Sequence, residues 1–345
     1  MTLLGIDLGT TAVKALLINE AGETLASATV EYPLSTPRPL WSEQDPADWW
    51  CGTVEAIGQV LSRAGVSGAD VRGIGLSGQM HGLTLLDRAG NVLRPAILWN
   101  DQRTAAQCEE MMRRAGSPAR MRELMANIPN PSYTAPKILW VRENEPHTYE
   151  RIAHILLPKD YIRYKLSGEF ATEVGDATGM ALLDVRRRTW SDEMLRLLDI
   201  PREWLPLCAE SHVPTARVSQ AAAQETGLAA GTPIVGGSGD QPAAAVGLGA
   251  CTAAFRLTGA LGSGRASCPA GTAQAGARSC AHVLAAPQAR LFGLPNYWLG
   301  CAYYGAMLAL RLPGWSLSRP VLWAVAAAAT AAFGVSVYLT LQLVR

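Results

Sequence analysis

Three apolar, β-rich runs open the chain, at residues 2–8, 12–18 and 24–32. Gly9-Thr10-Thr11 and Glu20-Ala21-Gly22-Glu23 separate them, and both are turn-like, so the pattern predicts an antiparallel meander of consecutive hairpins. Asp45-Pro46 then opens an amphipathic helix through about Ala64, with Asp45 as N-cap and Pro46 at the first helical position. Val71 to Leu76 is a short apolar run that ends in Ser77-Gly78-Gln79-Met80-His81-Gly82. Leu83 to Leu86 and Pro95 to Trp99 read as further strands, and Thr104 to Arg114 as a helix. The order β-β-β-α-β-α predicts an α/β fold with a mixed sheet, opened by the meander and continued by crossovers through helices.

Further on, Ile155 to Leu166 reads as a helix carrying Lys159-Asp160-Tyr161, and Thr172 to Gly179 as a loop. Helices are expected near residues 192–198 and 219–226. Thr232 to Val235 reads as a strand running into Gly236-Gly237-Ser238-Gly239-Asp240-Gln241, after which Pro242 suits the first turn of a helix. Beyond Ala250 the pattern dissolves. Residues 250–290 read as an irregular, acid-free segment and 291–345 as an apolar tail with one or two candidate membrane helices. The stretch 321–343 is uncharged and long enough to cross a bilayer, with Trp323 and Tyr338 near its ends; 291–310 is the weaker candidate. The alternative for this tail is a buried core helix followed by disorder.

Charge divides the chain at the same place. All 29 Asp and Glu fall in residues 1–250, whereas residues 251–345 hold no Asp, Glu or Lys and seven Arg. The net charge of +1 therefore hides a −6 region followed by a +7 region, and the total gives no reason to expect a nucleic-acid partner. Seven Cys without a CxxC pair argue against structural zinc. Their odd number, with a strand reading from residue 2, favours a reducing cytoplasmic setting without a targeting segment.

Two turns carry candidate chemistry. In Ile6-Asp7-Leu8-Gly9-Thr10-Thr11 a carboxylate at a strand end precedes a tight turn whose N–H groups and hydroxyls suit phosphate oxygens, while Asp7 suits a metal ion or its water. In Gly236-Gly237-Ser238-Gly239-Asp240 glycines allow close approach of a ligand to a carboxylate able to act as base. Each alone is compatible with an ordinary turn. Together they predict two carboxylates converging on one phosphoryl-transfer site.

In order along the chain, the Asp-Leu-Gly-Thr-Thr meander, the Ser77–Gly82 loop, Trp99-Asn100-Asp101-Gln102-Arg103-Thr104 and the Gly236–Asp240 turn resemble the FGGY carbohydrate kinases, over residues 1 to about 249. Glu173, Asp176-Ala177-Thr178-Gly179 and Leu183-Asp184 also fit, and the Gln-Met-His-Gly loop is similar to the xylulokinase branch. The resemblance implies an actin-like ATPase, ribonuclease-H-like fold with ATP and Mg2+ as cofactors. It implies phosphorylation of D-xylulose to D-xylulose 5-phosphate in pentose catabolism. It further implies Asp240 as the base and Asp7 as the carboxylate near magnesium, acting through water, and the transferred phosphate. Gly9, Thr10 and Thr11 would hold phosphate. Gln79, Met80, His81, Trp99 and Asp101 would bind the ketose, with Arg103 structural. A homodimer and a membrane contact through the tail stay open.

The resemblance stops near residue 249. A Gly-Thr-Ser turn and a glycine-rich adenosine site would be expected beyond it; Leu257 to Gly264 is the nearest approach and lacks the triplet. The expectation is a truncated or chimeric chain, one source being a reading-frame shift. The alternative is a non-catalytic sugar-binding or membrane-tethered remnant without the ATP-binding half.

Overall fold

The structure, a computed structural model, describes residues 2–247 and the backbone of a short antiparallel strand pair, Arg290–Leu291 with Leu294–Pro295. The chain divides into two compact units, 1–265 and 266–345, and the first holds every feature discussed below. The membrane helix expected at 321–343 lies outside the described residues, as does the one at 291–310 apart from its first residues, where the strand pair stands in place of helix. Among the described residues no helix is long and apolar enough to cross a membrane.

The meander forms as its turns predict. Strands β1 (Thr2–Leu8), β2 (Ala12–Asn19) and β3 (Thr24–Glu31) pair antiparallel in sequence order. A two-residue strand β4 (Glu43–Gln44) leads into α1 (Pro46–Ala64), where the Asp45 carboxylate accepts the Ala47 N–H at 2.9 Å. Gly65 in the left-handed region ends the helix. Next, β5 (Val71–Gly78) lies parallel to β1.

An inserted layer follows, built from β6 (Thr84–Leu86), β7 (Ala96–Ile97), α2 (Ala105–Ala115), α3 (Pro118–Met125), α4 (Thr134–Asn144), α5 (Pro146–Tyr149) and β8 (His154–Leu156). The helix expected from residue 155 begins later, as α6 (Pro158–Ser167), because residues 154–156 pair with β6. Leu157 precedes a proline and is therefore extended, so the helix begins at Pro158. The expected loop at 172–179 is also more ordered. It contains β9 (Ala171–Glu173) and the turn α7 (Val174–Ala177), whose first N–H groups are capped by the Glu173 carboxylate.

After the small hairpin β10 (Leu183–Asp184) and β11 (Thr189–Trp190) come α8 (Asp192–Leu198) and β12 (Leu207–Ala209), which pairs with β9. The chain then returns to the main sheet through β13 (Pro214–Arg217), α9 (Gln220–Thr226), β14 (Pro233–Val235) and β15 (Ser238–Gly239), and ends its described part in α10 (Asp240–Gly247). The sheet order is β13-β14-β5-β1-β2-β3, with β15 also paired to β5. It is the mixed sheet the element order predicts.

Two hydrophobic cores result. One joins the sheet to α1, α6 and α9 through residues such as Ile6, Leu17, Trp49, Ile57, Leu76 and Ile162. The other fills the inserted layer, with Leu83, Ile97, Met111, Ile138 and Leu195. Strands β6 and β8 divide them by alternation: Leu85 and Ile155 belong to the second core, Leu86 and Leu156 to the first. The loop from Ser77 to Gly82 thus spans from one core to the other.

Replacing Asp45 by Ala removes the α1 cap, and urea unfolding should show a loss of about 1 kcal/mol. Because α1 lies behind the sheet, ligand affinity should not change; an unchanged urea midpoint would contradict the cap assignment.

Candidate active site

Register brings the two acidic turns together. Asp7 of β1 pairs with Ser77 of β5, which pairs with Ser238 of β15; Leu8, Gly78 and Gly239 form the next row. Asp240 follows immediately, so both carboxylates stand at the carboxyl edge of three parallel strands, with β5 between their strands. At strand spacing their backbones are roughly 10 Å apart. Open α/β sheets bind ligands at this edge. Asp7 is exposed and takes no hydrogen bond or ion pair among the described residues. Partial burial raises the Asp240 carboxyl above its ordinary value, and the negative charge of Asp7 adds to the rise against the Gln241 N–H bond.

The turn after Asp7 is held by its carbonyls. Gly9 O accepts the Tyr32 hydroxyl and Gln79 Nε2, Thr10 O accepts Gln44 Nε2 at 2.6 Å, and Thr11 O accepts the Tyr32 N–H. The Gly9 N–H goes to Ala12 O. Among the described residues this leaves the Thr10 and Thr11 N–H groups as the turn's free backbone donors. Trp99 is 43 % exposed and donates its indole N–H to Thr10 Oγ1 at 2.9 Å, which leaves the Thr10 hydroxyl proton available to a ligand.

Two of the sequence-predicted sugar contacts turn inward. Gln79 is 1 % exposed and spends its amide on Gly9 O and Gln44 Oε1, bracing the phosphate-type turn from beneath. Asp101 is fully buried; its carboxylate accepts the Ser42 N–H at 2.7 Å and is gripped by the Arg103 guanidinium. Arg103 in turn stacks over the Trp41 ring at 3.6 Å and pairs with Glu43. Gln79 therefore braces the Gly9–Thr11 turn, and Asp101 with Arg103 braces the loop that carries Trp99.

Met80 and His81 follow the end of β5 at the same strand edge and are half-buried. The Met80 Cγ and Sδ atoms lie against Gly239, next to Asp240. His81 has φ of 69°, in the left-handed region, and its carbonyl accepts Thr134 Oγ1 at 3.1 Å and Lys137 Nζ at 3.0 Å. Its ring rests edge-on against Tyr133, with centroids 5.1 Å apart. Its Nδ1 donates to Gly179 O at 3.2 Å, a bond that requires the proton on Nδ1 and leaves Nε2 as an acceptor. Burial, with the Lys137 charge, lowers the His81 pKa to about 4, so the ring is neutral at physiological pH. A β-carbon at residue 179 would fall 2.1 Å from His81 Nδ1, so glycine is required there.

Behind the Asp240 turn lies a buried charge cluster. Lys159 Nζ is 2.7 Å from Asp160, 3.4 Å from Asp176 and 3.6 Å from Glu173, all fully buried side chains. Arg163 donates to Gly236 O, while the Ser211 hydroxyl donates to Glu173 and Ser211 O accepts the Gly237 N–H. Gly237, at φ 78°, could not carry a side chain: a β-carbon would lie 2.2 Å from Leu76 O. Burial pushes the Asp176 carboxyl up to about 8 against the Lys159 charge, with Asp160 and Glu173 adding to the rise, so it holds a proton at neutral pH. Sequence reasoning singled out Asp160, Glu173 and Asp176 without assigning this role. Thr134 and Lys137 were missed altogether, although a lone lysine inside Thr134-Ala-Pro-Lys-Ile-Leu-Trp-Val was a visible signal.

A mixed sheet opened by a meander, with two carboxylates at the edge of its parallel strands, defines a domain of the actin-like ATPase fold. Residues 2–247 match the FGGY family of carbohydrate kinases, N-terminal domain, and the chain belongs to that family. It is 44% identical over 246 residues to the xylulose kinase of Escherichia coli K12, covering 71% of this chain and 50% of that protein. With the xylulose kinase of Bacillus subtilis it shares 39% over 269 residues, 78% of this chain and 52% of the relative. A solved kinase from Brucella ovis, described as a xyloylose kinase, superposes with a TM-score of 0.68 at 41% identity, covering 72% of this chain and 51% of that one. The chain spans about half the length of the curated relatives it matches. Residues 243–345 match a different family, the vitamin K epoxide reductase family.

Asp176 gives a test by pH. Its folded value near 8 exceeds its ordinary 3.8, so the folded state binds the extra proton between those values and loses stability as pH rises through them. Asp176→Asn should flatten the decline in urea stability between pH 5 and 8 relative to the parent. Parallel curves would show that no such proton is held.

Proposed function

We propose that residues 2–247 form the ketose-binding half of a xylulokinase-type phosphotransferase, with D-xylulose as substrate and ATP with Mg2+ as its cofactors. The observation that carries this is the shared strand edge at which Asp7 and Asp240 stand, with Met80 packed beside Gly239 and His81 next to it in the chain. His81 Nε2 accepts a sugar hydroxyl, Met80 and the exposed Trp99 ring give the apolar wall, and Asp240 accepts the proton of the attacking hydroxyl. The hydroxyl oxygen then bonds to the γ-phosphorus of ATP as the bond to ADP breaks. Asp240's raised pKa suits a base, because a more basic carboxylate accepts a proton more readily.

An exposed carboxylate such as Asp7 fits magnesium, which keeps several waters and is shared with substrate phosphates. When bound, the ion supplies charge neutralisation on the phosphates. Asp7 would hold it through water, and the Thr10 and Thr11 N–H groups would face phosphate oxygens.

A second reading, sugar binding without turnover, is favoured by the separate family match of residues 243–345. That second match supports a composite chain over a reading-frame shift. Calorimetry on the full chain should show D-xylulose binding in preference to glycerol and gluconate; equal affinities would overturn the substrate. Xylulose-dependent ATP consumption then separates the readings. If turnover is present, Asp240→Asn should reduce it by about 10²- to 10⁴-fold and leave xylulose affinity nearly unchanged.

A further inference from the structure

Two lysines are fully buried in this unit, and they are treated differently. Lys159 is surrounded by three carboxylates, which hold its pKa above the ordinary value against the effect of burial. Lys137 of α4 is also fully buried, yet its nitrogen bonds only to neutral carbonyls, His81 O at 3.0 Å and Ser132 O at 2.5 Å. A lysine kept only to support the fold would be expected to pair with a carboxylate or be replaced by an apolar residue. This one is aimed at the backbone of the residue that carries the histidine of the cleft. That residue sits in the left-handed region, unfavourable for a side chain larger than glycine, and must be held there.

We propose that Lys137 is a positioning residue for the sugar site: with the Thr134 hydroxyl it fixes the His81 carbonyl, and its protonation state sets how firmly the histidine loop is held. For sugar affinity this rests on the ketose reading above; for the His81 loop it does not. The groups facing Lys137 are Asp101 and Arg103 from the 99–104 loop, Cys108 from α2, and His81 itself, with Tyr133 on the His81 ring. Asp101 is already engaged by Arg103 and Ser42, so it offers charge at a distance and no direct partner. Burial consequently dominates and lowers the Lys137 pKa to about 7. Below that pH an ammonium donates to both carbonyls; above it a neutral amine offers the same two bonds at roughly half the strength. The His81 ring stays neutral on both sides of this transition, since its own pKa is about 4.

The first measurement needs no sugar. In the full chain labelled with 13C-histidine, the His81 Cε1 resonance, assigned by its loss in His81→Gln, should step with a midpoint near pH 7. The step should vanish in Lys137→Met and persist in Thr134→Val. A flat His81 resonance between pH 6 and 8.5, or a step that survives in Lys137→Met, overturns the proposal. The second is calorimetry with D-xylulose: parent affinity should fall about five-fold from pH 6 to 8.5. Lys137→Met should bind weakly and equally at both values, and Thr134→Val weakly at both with the five-fold ratio kept. If Lys137→Met fails to fold, the parent step and the Thr134→Val ratio decide. A His81 step without xylulose binding would reject the ketose reading and leave the positioning role intact. A step with pH-independent xylulose affinity would overturn the coupling to the sugar.

Discussion

The parallel pairing of β1, β5 and β15 is the constraint on which the site depends. Asp7 and Asp240 are separated by 233 positions in sequence, and nothing local relates them. Pairing each strand to β5 places Ser77 between Asp7 and Ser238, and Gly78 between Leu8 and Gly239. A shift of one residue in β1 would turn the core residues Leu4, Ile6 and Leu8 outward as well as displacing the Asp7 carboxylate, so burial enforces the register of that strand. The glycines of the Gly236–Asp240 turn serve that pairing: the Gly237 backbone approaches Leu76 too closely for any side chain.

Precision at the strand edge is maintained from behind by buried charge. Arg163 and Glu173 reach the Asp240 turn through Gly236 O and Ser211, while Arg103 and Asp101 fix the loop that presents Trp99. Buried ion pairs contribute little net stability, because desolvation offsets their attraction, but they leave few alternative arrangements. Here they lie one layer behind each wall of the cleft. The protonated Asp176 reduces the charge imbalance of three carboxylates against two cations. His81 occupies the remaining junction, where the chain leaves one core for the other and is held by α4 rather than by the sheet.

Legibility from sequence followed local chemistry. Asp45-Pro46, the two meander turns and the strand-glycine-acid turn each carry their own physical cause, and the structure shows them at those positions. The helix over 155–166 was misplaced at its start because the apolar run of β8 continues into α6 without a polar break; only Pro158 marks the boundary. Helix α4 escaped because every residue from Thr134 to Val141 is buried, which erases the amphipathic period. Residue type within a motif also says nothing about direction. Gln79 and Asp101 belong to the motifs that carry the resemblance, yet they point into the protein and act on the turn and loop beside them.

On the proposed reading, sugar recognition and phosphoryl transfer are physically separable in this arrangement. Every group assigned to the ketose, and the base itself, comes from residues 7–240, within a unit that has two cores of its own. Among the described residues their hydrogen bonds come from this same unit: His81 is held by Thr134, Lys137 and Gly179, and the Asp240 turn by Arg163 and Ser211. A chain with this half can therefore keep sugar affinity while its turnover rests on what supplies and orients the nucleotide. The acid-free composition of residues 251–345, and their match to a different family, place that part of the sequence under a different pattern from the kinase half. Binding consequently reports on the site described here, and turnover reports on the whole chain.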